Sequence, residues 1–332
     1  TLGTDGPDNL TLSAVNLTAP NGLMNPDTFS QTFTSVTSSS PIVNNGTLTM
    51  TGTSTLDSLT TGTTSSLALT GSVTFPTAFT NNGAMSFGSS GSRVTVTTGT
   101  FTNSATGTLT AAANNAWIAY ITGDFTNAGT VDGAGYWRLD GTASVVDNQG
   151  TWTVNSTVQS DITNNETFTN SGTLDLTAGT FQVTHTGTGA STTSGTVQGA
   201  GQFRVTNGTF NFTGGSFAPA AATLSNLTAN LTPAMTLGTD GPDNLTLSSV
   251  NLTAPSLTNP ATFSQTFTSV TSSSPIVNNG TLTLTGTSTL DSLTTGTTSS
   301  VALTGSVTFP TAFTNNGAMS FGSSGSRVTV TT

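Results

Sequence analysis

Three stretches decide the fold: Phe125-Thr126-Asn127-Ala128-Gly129-Thr130-Val131, Val146-Asp147-Asn148-Gln149-Gly150-Thr151-Trp152 and Phe168-Thr169-Asn170-Ser171-Gly172-Thr173-Leu174. Each alternates apolar and polar residues on both sides of an Asn-x-Gly corner. Period-2 alternation bounded by Asn and Gly is the pattern of short, half-buried strands meeting at a turn. The motif also occurs as Phe79-Thr80-Asn81-Asn82-Gly83, with a degenerate form at Phe101-Thr102-Asn103. Its Asn residues, 81, 103, 127, 148 and 170, recur every ~21 to 24 residues, which is a solenoid period. A second match agrees. Residues 129–139 (GTVDGAGYWRL) resemble residues 195–205 (GTVQGAGQFRV), an offset of about 66, or three such periods.

A unit of about 22 residues cannot bury a core of its own, but it can form one turn of a stack. The expected fold is all-β: a parallel β-helix, or β-solenoid, with coils of about 22 residues. Leu, Val, Phe and Met point inward and Thr and Ser outward, because alternate strand residues face opposite sides. Asn and Gly fall at the corners, where left-handed backbone is expected. Stacked Asn side chains can form hydrogen-bonded ladders. The candidate turn and ladder residues are Asn82, Gly83, Asn127, Gly129, Asn148, Gly150, Asn170 and Gly172. The competing architecture is a string of β-sandwiches, which does not explain the coil-to-coil register.

A larger repeat encloses the small one. TLGTDGPDNLTLSAVNLTAP begins at Thr1, and TLGTDGPDNLTLSSVNLTAP begins at Thr236. Residues 1–235 are read as one full repeat of about eleven coils. Residues 236–332 are the start of the next, near-identical copy. Differences are mild, such as Ala14/Ser249, Met50/Leu284 and Leu67/Val301. The chain reads as a window on a longer tandem array.

Composition narrows the function. Of 332 residues 5% are charged, with 14 acids, 4 arginines, no lysine and a net charge of −10. Thr and Ser together make up about 36%. Four arginines cannot replace the counterions of a nucleic acid. With no Cys, thiol chemistry and disulfides are excluded. No apolar stretch reaches the roughly 20 residues of a membrane-spanning helix. No cofactor site is evident, and the expectation is a protein that is not an enzyme. Asp57, Asp124, Asp132, Asp147, Asp161, Glu166 and Asp175 are scattered along the chain, without the clustered carboxylates of a glycosidase.

Individual candidates are few. The loop Thr4-Asp5-Gly6-Pro7-Asp8-Asn9 and its copy with Asp240 and Asp243 offer oxygen ligands. Asp5, Asp8, Asp240 and Asp243 are therefore candidate Ca²⁺ ligands, against the plainer reading of an Asp-Gly-Pro turn. Arg93, Arg138, Arg204 and Arg327 read as outward side chains, with Asp140 a nearby partner. His185, the only histidine, reads as a surface or turn residue. Asn-x-Ser/Thr triplets are no more frequent than the composition predicts. Thr47-Leu48-Thr49-Met50-Thr51 and Thr281-Leu282-Thr283-Leu284-Thr285 would stack outward Thr on a flat face. Such arrays also resemble those of ice-binding β-helices.

The Asn-x-Gly-Thr-apolar and Gly-Thr-Val-x-Gly-x-Gly motifs resemble those of large bacterial surface β-solenoids. These include autotransporter passenger domains and filamentous-haemagglutinin-like exoproteins. The resemblance covers most of residues 40–215 and 275–332. It implies a right-handed β-helix on the cell exterior, and it carries over no catalytic residue. The expected function is a secreted structural protein that forms or decorates an extracellular fibre. Its expected partner is itself, by repeat stacking or by lateral or end-to-end assembly, with no nucleic acid and no membrane insertion. The alternatives are an adhesin stalk presenting a binding tip and, as a lesser reading, an ice-binding threonine array.

Overall fold

The computed structural model describes residues 1–2, 6–89, 91–112, 117–133, 135–155 and 159–331. All regular structure among them is β. The strands run parallel and stack as a β-solenoid, about 15 turns over the chain. The chain divides into two units, Thr1–Gly179 and Thr180–Thr332.

In the first unit each turn lays down three strands, one on each of three parallel sheets. The first sheet ends every strand on a polar residue. There Phe79 pairs with Phe101, Phe101 with Phe125, Phe125 with Val146 and Val146 with Phe168. The second sheet follows the Asn-x-Gly corner. It stacks Thr47–Thr51, Ser66–Leu69, Ala84–Phe87, Thr108–Ala111, Thr130–Gly133, Thr151–Thr153 and Thr173–Asp175. Its outward row reads Thr32, Thr49, Ala68, Ser86, Thr110, Asp132 in register. The third sheet carries the arginines, in the row Ser72, Arg93, Tyr120, Arg138, Asp161. We refer to these as the asparagine, threonine and charged sheets.

The second unit carries a threonine-rich sheet in line with Gln182 and Arg204. Its outward row reads Thr223, Thr246, Thr266, Thr283, Ala302, Ser320. Residues 180–184, 202–206 and 221–225 extend the same sheet on one side of that row.

The core is the inward half of each strand. Phe79, Phe101 and Phe125 are fully buried, with successive ring centroids 5.1 and 5.3 Å apart. Trp137 and Trp152 meet edge-on at 6.5 Å. In the second unit Phe181 lies parallel to Phe203 at 6.2 Å. Burying one such ring stabilises by roughly 1.5–3 kcal/mol, and parallel stacking brings like rings together coil after coil.

The turns are less uniform than a constant 22-residue coil. Hydrogen-bonded equivalents lie 17 residues apart at Thr34 and Thr51, 19 at Asn25 and Asn44, and 24 at Asn103 and Asn127. At several places an inward polar side chain accepts a backbone N–H of the neighbouring coil. Ser54 Oγ accepts from the Val36 N–H at 3.0 Å. Ser40 Oγ accepts from Ala19, and Gln265 Oε1 accepts from Leu245. A buried N–H left unpaired would cost about 1–3 kcal/mol, so these Ser and Gln residues help to hold neighbouring coils together.

Candidate functional site

The asparagine sheet ends in a continuous line of buried amides. Asn81 Nδ2 donates to Asn103 Oδ1 at 3.0 Å, Asn103 to Asn127 at 2.8 Å, Asn127 to Asn148 at 2.8 Å, and Asn148 to Asn170 at 2.7 Å. Each also donates to a backbone carbonyl beyond the corner; Asn127 reaches Thr151 O at 3.1 Å and Asn148 reaches Thr173 O at 3.2 Å. All five are essentially inaccessible to solvent. A primary amide suits this place because it carries two donors and an acceptor, and so bonds the coil on each side. At one coil Thr takes the position. Thr61 Oγ1 donates to Asn81 Oδ1 at 3.4 Å and accepts from the Asn82 N–H at 2.7 Å. The second copy does the same with Asn259 to Asn278 at 2.8 Å and Thr295 to Asn315 at 2.8 Å.

Asn127, Asn148 and Asn170 of the expected set stand in this line, and Asn82 does not. The ladder member in its coil is Asn81. Asn82 lies one residue further on, its amide donating to Thr61 O at 2.9 Å. The phase of the alternation was the available signal: Phe79 is inward, so Asn81 is inward and Asn82 is not.

Gly83, Gly129, Gly150 and Gly172 follow the amides, but none of the four has left-handed backbone. The requirement is close approach. A Cβ on Gly129 would collide with Gly107 O, on Gly150 with Gly129 O, and on Gly172 with Gly150 O. Left-handed backbone occurs at other corners, as at Gly52 (φ 66°) and Ser35 (φ 53°).

The charged sheet holds a group of ionic contacts. Asp140 Oδ2 lies 3.6 Å from Arg138 Nε and 3.8 Å from an Arg93 guanidinium nitrogen. Thr122 Oγ1 donates to Asp140 Oδ1 at 2.7 Å, and the Arg93 guanidinium sits 4.7 Å above the Tyr120 ring. These pairs are about one-third exposed for the arginines and are worth little individually. Asp161, next in the row, is 7% exposed. Its Oδ2 accepts from the Tyr136 hydroxyl at 3.4 Å, while its Oδ1 is buried without a hydrogen-bond partner. Desolvation raises its carboxyl above the ordinary range, against the opposing pull of Arg138 and the Tyr136 hydroxyl. Burial, with the Asp161 charge second, raises Tyr136 as well. This buried carboxylate carries no sequence signal, because its strand alternates like the others.

The remaining candidates fall as follows. Asp5 and Glu166 lie outside the residues or side chains described. Asp8, Asp240 and Asp243 are exposed. The Asp240 carboxylate accepts from the Thr236 N–H and closes a turn, in which Thr236 O also accepts from Thr239, Asp240 and Gly241. Gln265 Nε2 ties the loop down through Asp243 O at 3.0 Å, as Gln31 does through Asp8 O at 3.1 Å. Among the described residues no three His, Asp or Glu gather where they could hold a metal. His185 is a correction. It is 1% exposed, and its Nε2 lies 2.7 Å from Ser191 Oγ. Flanking threonines suggested a surface, but the strand phase turns the ring inward, where the serine hydroxyl meets it. Arg204 pairs in register with Gln182 and Thr223, and Arg327 is exposed with Nε on Thr329.

Comparison with protein-family models, with curated proteins and with solved structures gives no match.

Proposed function

We propose that this chain is a secreted structural protein whose stacked coils form or decorate an extracellular cell-surface fibre. The observation that carries the reading is the unbroken amide line from Asn81 to Asn170. Its bonds run between coils rather than into a cleft, so the polar groups buried most deeply serve stacking. The near-identical copy from Thr236 supports a periodic object, because a second copy of one catalytic or binding site would not need to preserve the core coil by coil. The exterior location rests on the resemblance of the Asn-x-Gly-Thr motifs to bacterial surface solenoids.

Electron microscopy of native material tests the reading. Eleven coils at about 4.8 Å each give an axial repeat of roughly 50 Å. Fibres with that repeat are expected. A globular, monodisperse particle would sink the proposal.

A further inference from the structure

The two near-identical copies let the same coil be seen with and without a neighbour. In the second copy the strand Asn244–Thr253 is paired on both sides, with residues 221–230 before it and with residues 266–268 and 271–272 after it. Leu247, Leu252 and Leu257 are there at most 1% exposed. The same positions of the first copy are Leu12, Leu17 and Leu23. Among the described residues their strands, Thr11–Ser13, Asn16–Leu17 and Leu23–Asn25, are paired on one side only, and the three leucines are half-buried. A second face shows the reverse. Phe87 and Val96 are 0% and 4% exposed in the first copy, where residues 108–111 pair with 84–87 and residues 119–122 with 92–95. Their equivalents Phe321 and Val330 are 55% and 46% exposed. Among the described residues the strands Ala318–Phe321 and Arg327–Val330 pair only with the coil before them. Buried Asn81 hands its amide bond on to Asn103, whereas its equivalent Asn315 is exposed.

What covers each face is therefore shown inside the molecule. It is a further coil, added in parallel, with its apolar side chains turned to the core. A strand edge paired on one side is a template for one more strand. The two faces also match in sense. All strands run parallel, so a copy continues the stack only when its residues 10–25 settle on residues 312–330 of the copy before it. Charge favours this pairing although each chain carries a net −10. Residues 312–331 hold one charge, Arg327, while residues 5–27 hold only acids, Asp5, Asp8 and Asp27. Opposite charges at the two faces favour the encounter. The contact spans the whole cross-section of the stack, as it does between any two turns.

We propose that the face of Leu12, Leu17 and Leu23 on one copy of this chain docks head-to-tail on the face of Phe313, Phe321 and Val330 of a second copy. The inference deepens the fibre reading, on which its biological meaning rests, by naming the surface and the partner. Docking buries apolar side chains on both sides and pairs strand edges that now face water, and both gains are those that already hold residues 221–230 against Asn244–Thr253.

Sedimentation of the full chain over a concentration series tests this. The wild-type species should grow with concentration, because each docked copy presents a fresh face. The variant L12D/L17D closes the first face and F321D/V330D the second. Each alone should associate about a hundredfold more weakly or worse, because docking would bury an unpaired carboxylate. Mixed, the two should form a dimer and nothing larger, since each keeps the face the other has lost. Far-UV circular dichroism checks that both fold. Where either loses its β signal, the milder L17S and F321S take their places. A wild-type chain that stays monomeric up to about millimolar overturns the proposal. So does a folded variant that alone assembles like wild type, which would place the contact on a side of the stack. A mixture that stays monomeric overturns it too. Native fibres together with a monomeric chain would remove this contact and leave the fibre reading standing. Dimers in the mixture together with fibre-free native material would uphold the contact and remove the fibre reading.

Discussion

Asn148 and Asp161 are both buried polar residues of the first unit, and they are treated in opposite ways. The Asn148 amide accepts from the coil before, donates to the coil after and donates again to Thr173 O. Asp161 accepts from one tyrosine and keeps a buried oxygen unpartnered. The difference is chemical. An amide is self-complementary along a stack, because donor meets acceptor at every step. A carboxylate offers acceptors only, and a carboxylate above another would repel it. This explains the composition better than solubility does: a stack selects against any ionised side chain that would have to repeat.

The largest test of this contrast is to put the carboxylate into the amide line. Asn127→Asp would keep the shape while facing Asn148 Oδ1 and Thr151 O with acceptors. The expected loss is about 3 kcal/mol or more, read as a lower urea midpoint with unchanged slope. A loss near zero would mean that the line does not hold the coils. Gly150→Ala comes next. Its Cβ collides with the Gly129 carbonyl, and overpacking of this kind costs about 1–3 kcal/mol. A left-handed-backbone origin for the glycine would instead be shown if Asn were tolerated there and Ala were not.

A smaller effect is expected at the Thr that interrupts the line. Thr61→Val preserves volume and removes the oxygen that accepts from Asn82 N–H, for a cost of about 1 kcal/mol. Thr295→Val should match it, because Thr295 accepts from Asn316 N–H at 2.8 Å. The smallest change carries the opposite sign. Asp161 has its folded carboxyl raised, mainly by desolvation. Its contribution is therefore present below the unfolded value, near 3.9, and is lost as pH rises through the folded value. Asp161→Asn should raise Tm relative to wild type at neutral pH, and the advantage should shrink as the pH is lowered toward that unfolded value. A wild type more stable than the variant at pH 7 would show that the attraction of the nearby Arg138 charge outweighs burial.

Much of this was legible in the sequence because stacking is periodic. Phe125, Val146 and Phe168 mark the inward phase, Asn127, Asn148 and Asn170 the corner, and Gly129, Gly150 and Gly172 the approach. What was not legible depends on phase or on neighbours far along the chain. Two adjacent asparagines, Asn81 and Asn82, are told apart only by which face the strand turns inward. His185 looked solvated among threonines because outward threonines flank inward residues everywhere in this chain. The inward serines and glutamine, Ser54, Ser40 and Gln265, could not be read as backbone acceptors, because the N–H each accepts from lies on another coil. Asp161 gave no sign of burial at all.

The amide line also has a sense. From Asn81 to Asn170 every Nδ2 donates toward the later coil, and Asn25 to Asn44 and Asn259 to Asn278 run the same way. Aligned dipoles polarise one another, so each link strengthens its neighbours. Such a row is an arrow drawn along the stack. A coil joined the wrong way round would set carbonyl against carbonyl, so an object built from these turns has a distinguishable head and tail at every length.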